Sequence, residues 1–106
     1  MLLKKYVRSR NVCKVTFVVP EEELPEGVEI ESIAVVGEFN GWAGDAAPMN
    51  RRRGGLYRAD VELEPGKEYQ FRYLLNGEAW YNDWYADAYV PGDMGGENCV
   101  VSTRVH

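Results

Sequence analysis

Apolar and polar residues alternate with a period of two along much of this chain, which is the pattern of half-buried β-strands. The clearest case covers residues 56–63, where one face carries Tyr57, Ala59, Val61 and Leu63. Similar runs predict further strands over the ranges 12–19, 33–39, 69–75, 78–82 and 98–105. Since no stretch of ten residues shows helical amphipathicity, the pattern predicts an all-β fold.

Turn residues separate these runs. Asn76-Gly77 is a strong signal for a short β-hairpin, and Asn40-Gly41 supplies residue types that readily adopt positive φ. Residues 21–32 hold six glutamates and predict an exposed loop. Residues 83–97 predict a long irregular loop that packs onto the domain through aromatic side chains in or beside it, namely Tyr81, Trp84, Tyr85 and Tyr89. Short strands joined in this way indicate an antiparallel β-sandwich.

The length of 106 residues and a hydrophobic fraction of 45% fit one domain with a single core. We expect this domain to span residues 12–106. Residues 1–11 are expected to form a basic N-terminal arm, because no acidic residue precedes Glu21 and five of the twelve basic residues lie in the first fourteen positions: Lys4, Lys5, Arg8, Arg10 and Lys14.

Charge and hydropathy exclude several classes of partner. The net charge of −5 argues against nucleic-acid binding, which draws on a broadly positive field, so the basic clusters are interpreted as solvated surface. No apolar run approaches the ~20 residues of a membrane span. The first residues lack the apolar segment of a secretory signal. We therefore expect a cytoplasmic protein with no membrane association.

The two cysteines and the one histidine predict no cofactor site. Cys13 and Cys99 fall in strand-like runs, where a free cysteine acts as a small buried hydrophobe; a disulfide would require Cα atoms within ~7 Å. His106 stands at the end of the sequence, away from any ligand cluster. We expect neither a metal nor an organic cofactor.

Two tryptophans follow turns. Trp42 comes directly after Asn40-Gly41, and Trp80 lies on the return arm of the hairpin at Asn76-Gly77. Both side chains could fill the ends of the core. Their position beside turns and polar residues also fits a second hypothesis, in which they form an exposed binding face.

Several motifs, in this order, resemble carbohydrate-binding module family 48. They are Gly-Glu-Phe-Asn-Gly-Trp at 37–42, Pro48-Met49, Gly55-Leu56-Tyr57, the run at 65–73, Asn76-Gly77 with Trp80, Asn82-Asp83, and Asn98 with Val100-Val101. The family includes the early-set, immunoglobulin-like N-terminal domains of isoamylases and branching enzymes, and the glycogen-binding domain of the AMP-activated protein kinase beta subunit. The resemblance covers residues 12–105 and implies an immunoglobulin-like antiparallel β-sandwich of the early-set type.

The resemblance also implies a set of sugar contacts. Trp42 and Trp80 would form a platform for glucose rings, while Arg72 and Asn98 would bond sugar hydroxyls. Met94 stands where the kinase domains have a leucine that packs against the sugar. Each has a structural alternative: core packing for the tryptophans and Met94, an ion pair for Arg72, and backbone capping for Asn98. Where many members have Asp-Pro after the second tryptophan, this chain has Asp83-Trp84.

These features and the resemblance predict a non-catalytic module that binds an α-1,4-linked glucan, such as glycogen or a maltooligosaccharide. Such a module could act with a glucan-metabolising enzyme. The alternative is a protein-interaction or scaffold module of the early-set type that binds no sugar. An enzyme is disfavoured, because the carboxylates near the proposed face, Glu38, Asp83 and Asp87, form no recognisable catalytic pair and the chain lacks nucleophile and general-base motifs.

Overall fold

The computed structural model describes residues 1–44, 47–92 and 96–104, and these contain β-strands and short 3-10 turns but no α-helix. The strands are β1 (Leu2–Val7), β2 (Val12–Pro20), β3 (Ile33–Gly37), β4 (Asn50–Arg52), β5 (Leu56–Leu63), β6 (Glu68–Leu75), β7 (Ala79–Tyr81), β8 (Ala88–Pro91) and β9 (Glu97–Ser102). Three-residue 3-10 turns follow β1, β2 and β3. The all-β prediction is confirmed.

The strands form two antiparallel sheets. The first sheet has the order β1-β2-β5-β4, and the second has the order β3-β6-β9-β8, with β7 paired to β6 beyond the end of β9. Aromatic and branched side chains fill the core between the sheets, with Phe17, Val35, Phe71, Tyr73 and Val101 among the fully buried residues. This architecture is the predicted β-sandwich.

The predicted strands agree with the structure to within a few residues, and β5 agrees at both ends. Three strands were not predicted: β1, β4 and β8. The description of residues 83–97 as irregular is therefore wrong, because β8 lies within that range and pairs with β9. β1 lies within the predicted basic arm and pairs with β2 along its whole length, from Leu2 opposite Phe17 to Val7 opposite Val12.

Hydrogen bonds attach the loop between β7 and β8 to the domain, whereas only some of the four aromatic side chains predicted to do so pack against it. Asp83 is 3% exposed, and its carboxylate accepts hydrogen bonds from the Tyr73 hydroxyl (2.5 Å) and the Tyr85 amide (2.7 Å). The Tyr89 hydroxyl donates to the Asp83 carbonyl (2.6 Å). Trp84 and Tyr85 are 61% and 66% exposed, so the expectation that they pack onto the domain is wrong.

Both cysteines are buried, as predicted, and the question of a disulfide is answered because both are free. Burial raises the pKa of Cys99 to about 11 and also raises the pKa of Cys13. Among the described residues, no group of three or more histidine, cysteine or acidic side chains is placed to hold a metal ion. The described ranges likewise contain no helix long and apolar enough to cross a membrane.

Candidate functional site

A groove of about 500 Å³ lies on the outer face of the second sheet. Strands β6, β7, β8 and β9 contribute to it, together with the turn that follows β3. Its lining residues are Glu38, Trp42, Gln70, Arg72, Trp80, Pro91 and Asn98. Because side chains alternate along β6, Phe71 and Tyr73 enter the core while Gln70 and Arg72 face the groove.

Trp42 is positioned by a turn that Asn40 ties to the end of β3. The Asn40 side chain accepts a hydrogen bond from the Gly37 amide (3.0 Å) and donates one to the Val35 carbonyl (3.0 Å). The Trp42 amide then donates to the Gly37 carbonyl (2.9 Å). Gly41 and Trp42 both have positive φ, 63° and 61°, and the Trp42 side chain emerges at the surface with 39% exposure for the residue.

Gly37 allows this turn to start close to β6. A Cβ atom at Gly37 would lie 2.5 Å from the Gln70 carbonyl oxygen and 2.9 Å from the Phe71 Cβ. Real Cβ atoms do not approach backbone so closely, so only glycine fits here without moving β3 away from β6. The first glycine of Gly-Glu-Phe-Asn-Gly-Trp thus brings Glu38 and Trp42 next to the outer face of β6.

Trp80 is positioned by the hairpin between β6 and β7. Asn76 and Gly77 have φ of 52° and 71°, as the Asn-Gly signal predicts, and they place Trp80 opposite Leu74. The Asn76 side chain also accepts hydrogen bonds from the amides of Glu31 and Ser32, at 2.7 and 3.1 Å. The hairpin is therefore fixed to the loop that precedes β3, while Trp80 remains 46% exposed.

A small apolar cluster on this same outer face lies outside the main core. Ala34, Val36 and Leu74 are buried there, and a Cβ atom at Gly44 would lie 3.0 Å from the Leu74 side chain. Gly44 therefore lies over the outer face, and further along the chain the Val35 amide of β3 donates a hydrogen bond to the Ala47 carbonyl (2.9 Å). Packing on both sides of the second sheet supports the groove.

The polar side of the groove is connected by hydrogen bonds. The backbone N–H of Gln70 donates to the Glu38 carboxylate (2.6 Å), and the Asn98 side chain donates from Nδ2 to the side-chain oxygen Oε1 of Gln70 (3.0 Å). A Cβ atom at Gly92 would lie 2.8 Å from Arg72 Nη2 and 3.0 Å from Asn98 Oδ1. The Arg72 guanidinium and the Asn98 carboxamide therefore both lie beside Gly92.

Four of the five predicted site residues line this groove: Trp42, Trp80, Arg72 and Asn98. Met94 lies outside the described residues. Sequence reasoning placed Glu38 near the proposed face without giving it a binding role, and it did not assign Gln70 or Pro91 to the site. A signal for two of them was present, because Gln70 shares the outer face of β6 with Arg72 and Glu38 lies within the motif that ends at Trp42.

The chemistry of the groove combines exposed aromatic surface with planar polar groups. Two indole rings, a guanidinium, two carboxamides and one carboxylate suit a ligand that has an apolar face and a rim of hydroxyl groups.

The comparisons with known proteins agree with this chemistry. The family model described as carbohydrate-binding module 48 (isoamylase N-terminal domain) matches residues 29–90. The matched segment includes Trp42, Arg72 and Trp80. A search of curated proteins found no significant match.

Proposed function

Because this chain belongs to the carbohydrate-binding module 48 family, a family of non-catalytic binding modules, we propose that it binds α-1,4-linked glucans such as glycogen and maltooligosaccharides in the groove of the second sheet. Trp42 and Trp80 stack on glucose rings, and Arg72 and Asn98 bond the hydroxyl groups. Met94, at the position that the family resemblance indicates, adds an apolar contact. No metal or organic cofactor takes part.

One observation carries the proposal: two tryptophans from separate turns line one groove together with Arg72 and Asn98. Both indoles remain exposed although each turn is fixed by hydrogen bonds. Trp42 also occupies the left-handed backbone region, where a residue with a Cβ atom is strained by roughly 1–2 kcal/mol. Such strain is typical of functional positions.

The expected affinity follows from the area that a sugar ring covers. Covering half of a tryptophan's ~150–250 Å² at ~25 cal/mol per Å² contributes on the order of 2–3 kcal/mol per ring before entropy costs. Two rings with a few polar contacts correspond to dissociation constants of roughly micromolar to millimolar for a short oligosaccharide. A polymer with many sites raises the effective affinity.

The arrangement of carboxylates supports a binding role rather than hydrolysis. Glycoside hydrolysis uses two carboxyl groups that flank the scissile bond, about 5–10 Å apart. Among the described residues that line the groove, Glu38 alone has a carboxylate, and that carboxylate accepts a hydrogen bond from the Gln70 amide.

The test is calorimetric titration of maltoheptaose and β-cyclodextrin into the wild type and into Trp42→Ala and Trp80→Ala. Trp84→Ala is the matched control, because Trp84 is exposed but does not line the groove. We expect saturable binding to the wild type and the control, and its loss in both groove variants. Absence of wild-type binding at millimolar oligosaccharide would refute the proposal.

The exposed pair Trp84 and Tyr85 favours a second function, docking to another protein such as a glucan-metabolising enzyme. Under this alternative the module acts as a scaffold and the groove binds no sugar. Two buried free thiols fit a reducing compartment, so we place either function in the cytoplasm. The titration separates the two functions, because the scaffold hypothesis expects no oligosaccharide binding.

A further inference from the structure

We propose that Gln70 is a positioning residue, which holds the Asn98 carboxamide in the one orientation that presents an acceptor oxygen beside the Arg72 guanidinium. This inference rests on the proposed glucan function, because it assigns a role to Gln70 in the same groove. The experiment below distinguishes a failure of this inference from a failure of the proposed glucan binding.

The strand register brings Gln70 and Asn98 together. Gln70 pairs with Val100 across β6 and β9, and Phe71 pairs with Cys99. Since side chains alternate, Asn98 shares the outer face with Val100. It lies two residues from Val100 along β9, on the side of Arg72, and so diagonally across from Gln70. Gln70, Arg72 and Asn98 are all half-buried on this face.

The hydrogen bonds determine which end of the Asn98 carboxamide faces which neighbour. Nδ2 donates to Gln70 Oε1 at 3.0 Å. The opposite end, Oδ1, lies 3.0 Å from the position that a Gly92 Cβ would occupy, and Arg72 Nη2 lies 2.8 Å from that same position. Asn98 Oδ1 and Arg72 Nη2 thus both lie beside Gly92, an acceptor and a donor in the same part of the groove.

The backbone of Gln70 is itself fixed, since it lies within β6 and its backbone N–H donates to Glu38 Oε1 at 2.6 Å. If Gln70 lost its acceptor oxygen, only the Arg72 guanidinium would still favour this orientation of the Asn98 carboxamide. The carboxamide could then rotate and place its NH₂ group beside the guanidinium. A sugar hydroxyl would meet two donors instead of a donor and an acceptor.

The experiment uses Gln70→Met, which keeps the length of the side chain but removes the acceptor, and Gln70→Glu, which restores an acceptor oxygen. We expect Gln70→Met to weaken maltoheptaose binding by about tenfold and Gln70→Glu to stay within about threefold of the wild type. In an Asn98→Ala background, Gln70→Met should have no further effect on affinity.

A second readout needs no sugar. The side-chain NH₂ resonances of Asn98 in the free protein should shift in Gln70→Met and return toward their wild-type positions in Gln70→Glu. Equal losses of affinity with and without Asn98, or unchanged Asn98 resonances in Gln70→Met, would overturn the inference. A wild type that binds no sugar would overturn the proposed function, and the Asn98 resonances would still decide the orientation.

Discussion

Trp42 lies in the left-handed region of the backbone map, at a φ of 61°, while its side chain emerges into the groove. For residues with a Cβ atom this conformation is unfavourable by roughly 1–2 kcal/mol. The indole therefore stands at a position where glycine would suit the backbone better. The sequence motif signals the turn but not this strain, because Asn40-Gly41 suggests that positive φ falls on those two residues.

We predict that Trp42→Gly is more stable than Trp42→Ala by about 0.5–1 kcal/mol, since both variants lose the indole but only alanine keeps the strained Cβ. Urea unfolding of the two variants measures the difference. Trp80 supplies the control, because it lies in β7, where Trp80→Gly should instead be less stable than Trp80→Ala. The same order at both positions would contradict the strain at Trp42.

Two glycines near the groove should respond differently to an added methyl group. We predict that Gly37→Ala lowers the free energy of unfolding by about 1–3 kcal/mol, because its Cβ would meet the backbone of β6. Gly92→Ala should cost less stability, since its Cβ meets the ends of the Arg72 and Asn98 side chains rather than backbone, but should weaken maltoheptaose binding by about tenfold. Thermal unfolding and calorimetric titration of both variants test this, and similar stability losses would contradict it.

At the scale of single residues, the sequence predicted Trp42, Trp80, Arg72 and Asn98 as members of the site and left out Gln70. The reason is physical. A stacking ring or a charged group is recognisable from its own chemistry, whereas the role of Gln70 depends on the register of β6 against β9, which the sequence does not specify.

Among the elements, the loop between β7 and β8 is held by the buried hydrogen bond from Tyr73 to Asp83. Burial and the negative charge of Asp83 both raise the pKa of Tyr73 well above its usual value, so the hydroxyl stays protonated in the folded protein. The bond connects the centre of β6 to the segment that follows Trp80.

We predict that Tyr73→Phe lowers the free energy of unfolding by about 1.5–3 kcal/mol at pH 7, because a hydrogen bond to a charged group is lost. The raised pKa sets the sign of the pH dependence. The stability that the hydroxyl contributes is complete below about pH 10 and declines as the pH rises toward the folded-state pKa. The gap between the wild type and Tyr73→Phe should therefore narrow above pH 10.

Denaturant unfolding between pH 7 and pH 11 measures this gap. Tyr69→Phe is the control, because the Tyr69 hydroxyl makes an exposed, long contact of 3.5 Å with the Glu64 carbonyl. A gap that stays constant or widens above pH 10 would contradict the assignment.

The strands that the sequence missed, β1, β4 and β8, all lie at sheet edges. β4 is exposed at all three positions, and β1 is exposed at four of six. These three strands each pair with one neighbour and contribute little to the core, so their residues need not alternate between apolar and polar. The edge strand β3 differs, because it is buried at all five positions, and it was predicted. The strands with neighbours on both sides, β2, β5, β6 and β9, were all predicted, because they carry the apolar side chains of the core, which in β5 follow a period of two.

For the molecule as a whole, both thiols lie inside the sandwich. With a pKa of about 11 for Cys99, and a raised pKa for Cys13, the reactive thiolate is scarce near neutral pH. We predict that iodoacetamide at pH 8 labels neither cysteine appreciably within an hour in native buffer, and labels both within minutes in denaturant. Mass spectrometry of the intact protein reads out the reaction. Rapid labelling in native buffer would show that the sandwich opens readily.

The groove occupies the outer face of the second sheet, and its cationic residue is an arginine. All four lysines lie elsewhere: Lys4 and Lys5 on β1, Lys14 on β2 of the first sheet, and Lys67 in the turn before β6. Amine-reactive coupling to a bead or sensor chip would therefore attach the protein through side chains away from the groove, three of them on the opposite sheet. The immobilised layer would keep its grooves open to a polymer in solution.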